Sequence, residues 1–178
     1  MSNFLNNFYG TLFSPKKTFE DIKANPCVFQ GLLIVIVVSL IGPFLKFNSF
    51  NSIYDVIWFG FVLFFSGFAG VINWIFFAVF LDLIAHVFKQ SGKIRIFLSL
   101  SAFSLLPWIF LAPVELLKTG GILGHFFAII LGLLIWLWVV LLNIFAIVKS
   151  YELSLSRTLI LLFLPFLAGG ISFYWTIG

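Results

Sequence analysis

Residues Val56 to Phe88 read VIWFGFVLFFSGFAGVINWIFFAVFLDLIAHVF, and from Val56 to Leu81 the run holds 26 residues without a charge. A bilayer core about 30 Å thick is crossed by roughly 20 apolar residues of helix. This run is therefore long enough to span a membrane, and it offers water no polar face. At its far end Asp82 and His86 stand four apart, on one helical face.

The rest of the chain agrees with a lipid setting. Of 178 residues, 62% are hydrophobic and 9% charged, whereas soluble domains carry about 25% charged residues. The size suits one compact helical domain. A single cysteine, Cys27, excludes an intramolecular disulfide and offers no metal cluster. The net charge of +4 is scattered over segments flanking the apolar runs. That distribution fits a signal for membrane insertion and not nucleic-acid binding.

Two segments precede the first long apolar run, and residues 1–27 form a cytosolic or interfacial unit. SNFLNNFYGTLF (Ser2 to Phe13) places Phe4, Leu5, Phe8, Tyr9, Leu12 and Phe13 at helical spacing among asparagines. It is too short and too polar to span, and an interfacial amphipathic helix is expected. In SPKKTFEDIKANP (Ser14 to Pro26), Ser14 suits an N-cap and Pro15 the first helical position. Asn25-Pro26 ends that helix. Phe19 and Ile22 share a face, so a short helix docked on the membrane surface is expected.

Residues 28–178 then divide into five apolar spans. The first runs from about Val28 to Leu45 and the second is the long run described above. The third covers about Ile96 to Leu111 with Pro107 inside it, followed by a loop from Ala112 to Gly121. The fourth covers about Ile122 to Val148, and the fifth Thr158 to about Ile177. Lys16, Lys17, Lys23, Lys89, Lys93, Arg95, Lys149 and Arg157 fall on one side of such a bundle, and Lys46 and Lys118 on the other. The positive-inside rule then puts the N-terminus in the cytosol and the C-terminus outside. Leu105-Leu106-Pro107 and Phe163-Leu164-Pro165 mark a weak repeat of two hairpins, which either relates two halves or arises by chance.

Three stretches carry a family resemblance that covers nearly the whole chain. They are LFSPKKTFEDIKANP, GKIRIFLSLSAFSLLPWIF and IWLWVVLLNIFAIVKSYELSLSRTLILLFLPFL. In pattern and order the chain resembles the Yip-one (Ypt-interacting protein) family in its short prokaryotic form. The resemblance implies five spans, a cytosolic N-terminus and a prokaryotic cytoplasmic membrane. Eukaryotic relatives are associated with Rab-type GTPases through a longer cytosolic region. Fewer than thirty residues precede the first span here and the DLYGP-like motif is missing, so GTPase binding is not carried over.

Candidate functional residues are few. Asp82 and His86 fit a metal or proton-relay role, but an ion pair of Asp82 with Lys149 or Arg157 near the interface fits its position better. His125, at the start of the fourth span, lies a membrane away from His86. Asn73 and Asn143 lie deeper, where an amide usually bonds a neighbouring helix. Gly120, Gly124, Ala128 and Gly132 form a small-residue stripe on the fourth span, and Ser66 and Gly70 a shorter one on the second. Each stripe serves either packing within the chain or association of copies.

No nucleophile–base pair, phosphate loop or zinc spacing appears, so neither catalysis nor a cofactor is expected. The expectation is an all-α integral membrane bundle of five transmembrane helices with an N-terminal amphipathic interfacial helix. It would organise membranes or engage lipid, membrane proteins or further copies of itself. The alternative is a small transporter or channel with Asn73, Asp82, His86 and Asn143 lining its path.

Overall fold

The structure, a computed structural model, describes residues 2–46, 53–87, 93–154 and 156–159. Every element among them is helical: α1 (Ser2–Phe13), α2 (Pro15–Ala24), α3 (Val28–Lys46), α4 (Ile53–Val87), α5 (Ile94–Ser104), α6 (Leu111–Leu117) and α7 (Gly121–Tyr151). Short 3-10 turns, Leu106–Phe110 and Lys118–Gly120, bracket α6. Among the described residues, three stretches are long and apolar enough to cross a membrane: Val28–Leu45, Ile53–His86 and Ile94–Tyr151.

The third of these is folded back on itself. Phe97 lies against Tyr151, Phe110 stacks on Trp138, and Val114 packs with Ala128. The pairing runs antiparallel, with the reversal at Gly121, whose φ of 74° suits a residue without a Cβ. α3 and α4 form a second antiparallel pair. It is marked by Phe44 against Phe59 and by the hydroxyl of Ser66 donating to the Ser39 carbonyl at 2.7 Å.

α5 is the post around which the others gather. Phe97 and every residue from Ser99 to Ser104 are buried. Its serines make this possible: small side chains let neighbouring helices come close, and their hydroxyls bond carbonyls one turn back. Ser99 donates to Arg95 and Ser104 to Leu100, at 3.0 and 2.9 Å. Gly31 of α3 closes on Ala102, where an added Cβ would stand 2.9 Å from the alanine methyl. Trp74 of α4 donates its indole N–H to Ser101 at 3.0 Å. α4 itself lies at the periphery, with Trp58, Phe64, Phe68 and Phe76 more than half exposed.

Several expectations need correction. Pro107 does not sit inside a continuous helix. α5 stops at Ser104, and the chain passes into the 3-10 turn Leu106–Phe110, because proline lacks an N–H and collides with the preceding turn. The expected loop from Ala112 to Gly121 is largely helical, as α6 and a 3-10 turn. The helix of the expected fourth span runs past Val148, so Lys149 lies within α7. Ser14 makes no side-chain cap on α2; Thr18 instead donates to the Ser14 carbonyl at 3.2 Å. The expected fifth span, Thr158 to about Ile177, lies almost wholly outside the described residues.

α2 docks by the two side chains expected, Phe19 and Ile22, but on protein and not on a membrane surface. They are 0% and 1% exposed in the main core cluster, together with Phe97, Ala146 and Tyr151. Taking two such side chains from water is worth about 1.5–3 kcal/mol each. α1 folds against α2, where Gly10 leaves room for the Thr18 hydroxyl. Its Phe4, Phe8 and Leu12 pack on the core, while Leu5, Tyr9 and Phe13 face out.

Candidate functional site: a charged end and a polar cavity beneath it

At one end of the bundle α2 is clamped by ion pairs. Lys23 meets Glu152 at 2.7 Å, Lys93 reaches the same carboxylate at 3.7 Å, and Lys149 pairs with Glu20. Lys118 and Glu115 pair at the other end of α7. Glu152 ends α7 with a φ of 55°, a left-handed conformation that favours glycine. A glutamate there exchanges backbone comfort for two lysine contacts.

Hydrogen bonding and charge from Lys149 hold the Glu20 carboxyl below its ordinary 4.5, and Lys23 does the same for Glu152. Carboxylates with lowered folded-state values stabilise above about 4.5 and lose that contribution as pH falls through the lowered value. The amides of α2 should therefore lose protection, measured against the unstructured exchange rate at each pH, below about pH 4.5. The change should shrink in Glu20→Gln and Glu152→Gln; equal pH dependence in the double variant would refute the clamp.

Just inside this end, the Tyr151 hydroxyl donates to Asp82 Oδ1 at 2.9 Å. The sequence suggested Lys149 or Arg157 as the partner of Asp82. Lys149 is engaged by Glu20 instead, and a neutral hydroxyl from the core meets the carboxylate. His86 is exposed in the last turn of α4, and His125 is exposed at the opposite end of the bundle, in the first turn of α7.

Asn73 lies nine residues before Asp82, and Asn143 eight before Tyr151. Since α4 and α7 run parallel, both asparagines fall roughly 12–14 Å below the Tyr151–Asp82 bond. They line one cavity of about 330 Å³, with Ser39, Ser101, Trp108 and Trp136 on its other walls. Asn143 donates to the Val139 carbonyl at 2.9 Å, so its amide group is tied to its own helix. Asn73 is exposed, and its side-chain amide has no hydrogen-bond partner among the described residues.

Phe77 borders this cavity, and its ring leads to Phe97 at 6.2 Å and on to Tyr151 at 5.7 Å. The four candidate polar residues are spread along the bundle: Asn73 and Asn143 share the cavity, Asp82 bonds Tyr151 nearer the charged end, and His86 is exposed. Tyr151 carries no signal of this role in the sequence, where it stands 69 residues from Asp82, although a buried tyrosine hydroxyl usually finds a partner.

The small-residue stripes divide as well. Gly124 lies against the Leu117 carbonyl and Ala128 is 3% exposed beside α6, whereas Gly120 and Gly132 have open space at their Cβ positions. Gly70 meets Ser39 within the chain. Among the described residues no cluster of three or more His, Cys, Asp or Glu could hold a metal.

No curated protein and no solved structure shows a significant match to the chain. The model of the Yip1 domain, however, matches residues 9–176, which runs from the middle of α1 through both helical hairpins. An apolar chain whose described elements are all helices, with that match along nearly its whole length, is a member of the Yip1 domain family.

Proposed function

We propose that the chain is a five-span protein of a prokaryotic cytoplasmic membrane, with its N-terminus cytosolic, that acts as a membrane-organising interaction protein and not as a catalyst. The observation carrying this reading is the aromatic and aliphatic core beneath a broad apolar exterior. Phe97, Leu100, Phe103 and Tyr151 close the core, while Trp58, Phe64, Phe76 and Leu133 point outward. The folded-back stretch Ile94–Tyr151 supplies two crossings, and α3 and α4 one each. Thr158 to Ile177 would add the fifth. The end bearing Lys23, Lys93 and Lys149 is the cytosolic one by the positive-inside rule.

In a chain with Cys27→Ala, a cysteine at Thr119 should be labelled from outside intact cells. One at Lys17 should react only after permeabilisation. The reverse pattern refutes the orientation.

The cavity between Asn73 and Asn143 favours a second reading, a small transporter. Asp82→Asn separates the two. The interaction reading expects a modest loss of thermal stability, with any ion flux in reconstituted vesicles indistinguishable from that of the native chain. A stable Asp82→Asn protein that loses a flux shown by the native chain overturns it.

A further inference from the structure

A second polar cavity, of about 440 Å³, opens where α1, α2 and α3 meet, and its polar lining is Asn6, Asn7, Asp21, Asn25, Cys27 and Gln30. It lies at the boundary of the first span, since Val28 begins the stretch long enough to cross. Two of its groups lack partners. Gln30 Oε1 is buried with no hydrogen bond. The Asp21 carboxylate, on an exposed residue, has no side-chain partner among the described residues, whereas those of Glu20, Asp82, Glu115 and Glu152 all have one. Asn7 spends its amide N–H on Cys27 Sγ at 3.9 Å, which leaves its oxygen to accept.

We propose that this cavity binds the primary ammonium headgroup of a membrane lipid, phosphatidylethanolamine in chemistry. An ammonium has three N–H donors and no acceptor. Asp21, Gln30 Oε1 and the Asn7 oxygen offer a carboxylate and two carbonyl-type acceptors, and no lysine or arginine lines the cavity to repel the cation. Burial pushes the Cys27 thiol up, so it stays neutral and Asp21 supplies the only charge. The depth also fits. Leu5, Tyr9 and Phe13 on α1 and Phe29 and Leu33 on α3, the helices that carry Asn6, Asn7 and Gln30, are exposed, and acyl chains would lie along them. Those exposed apolar side chains favour a lipid over a free amine.

The lipid source rests on the chain being membrane-embedded. Whether it organises or transports is tested separately by flux, so the two readings can fail independently.

The test is native mass spectrometry of the full chain from micelles holding equal phosphatidylethanolamine, phosphatidylcholine and phosphatidylglycerol. Phosphatidylcholine keeps the positive charge but has no N–H to donate. Hydrogen bonds to charged groups are worth enough that retention of the ethanolamine lipid should exceed that of the choline lipid by about tenfold or more. Asp21→Asn and Gln30→Leu, each with an unchanged thermal midpoint, should lower that ratio to within about threefold of unity on the same scale. Equal retention by the native chain overturns the site, as does a ratio that survives both variants. Displacement of the lipid by millimolar free ethanolamine would overturn the lipid as the source.

Discussion

Tyr151→Ala is expected to remove about 3–5 kcal/mol of stability, the range for truncating a fully buried aromatic side chain. Tyr151 is 0% exposed and among the largest side chains buried completely. It packs on Phe97 and joins the cluster that holds Phe19 and Ile22 of α2. Its successor Glu152 is solvent-exposed, so this end of α7 borders water and the transfer from water counts in full. Truncation therefore opens a cavity where α2, α5 and α7 converge, and it also strips Asp82 of its donor. Tyr151→Phe isolates the second effect and should remove about 1–3 kcal/mol, because a partly buried acceptor is left unmet. Adding Asp82→Leu to Tyr151→Phe should return most of that loss, since replacing both partners by apolar groups is often near neutral. Thermal unfolding in detergent reads all three. A Tyr151→Phe protein as stable as the native chain would show that the hydroxyl contributes nothing.

Much of the helical layout was legible because membrane helices announce themselves by length and apolarity. α3 and α4 begin and end within a few residues of the expected spans, and the Ser14-Pro15 and Asn25-Pro26 pairs bracket α2. What the sequence hid was rank. Val56 to Leu81 is the longest uncharged run, yet it lies at the edge of the bundle, because in lipid an apolar surface gains nothing by hiding. The buried centre is α5, whose IRIFLSLSAFS reads as less hydrophobic than its neighbours. Serines 99, 101 and 104 are there for size, and their hydroxyls are answered by the helix itself or by Trp74.

The polar sites were partly legible for the same reason. Asn73 and Asn143 stood out as deep amides, and their common level followed only once α4 and α7 were seen to run parallel. Asp82 stood out as well. Its partner was sought among cations, because charge balance is visible in sequence while the tip of a buried tyrosine is not. Gln30 and Asp21 gave no signal at all. Each is ordinary at its position until three helices bring them to one cavity.

The same geometry sets apart two glycines that look alike in sequence. A Cβ at Gly70 would stand 1.9 Å from the Ser39 hydroxyl oxygen and 2.7 Å from its Cβ, whereas one at Gly124 would stand 2.1 Å from the main-chain oxygen of Leu117. In both cases Ala must force two helices apart, and overpacking of this kind removes about 1–3 kcal/mol. The two differ in what can yield. At Gly70 the obstacle is a side chain, so Ser39→Gly should restore most of the stability that Gly70→Ala removes. At Gly124 the obstacle is backbone, at the point where α6 turns through Lys118–Gly120 into α7. No substitution at Leu117 can remove its carbonyl, so Gly124→Ala should reach the upper part of that range and resist rescue by Leu117→Gly. The loss should appear as faster amide exchange over 111–128, with α2 and the Tyr151 end unchanged. Rescue of Gly124→Ala by Leu117→Gly, or exchange spread evenly along α7, would mean that the turn is not held by this contact. Gly120 and Gly132 serve as internal controls. They belong to the same four-residue spacing but face open space, so alanine at Gly132 should leave thermal stability unchanged or raise it by a few tenths of a kcal/mol through reduced backbone freedom in the unfolded chain.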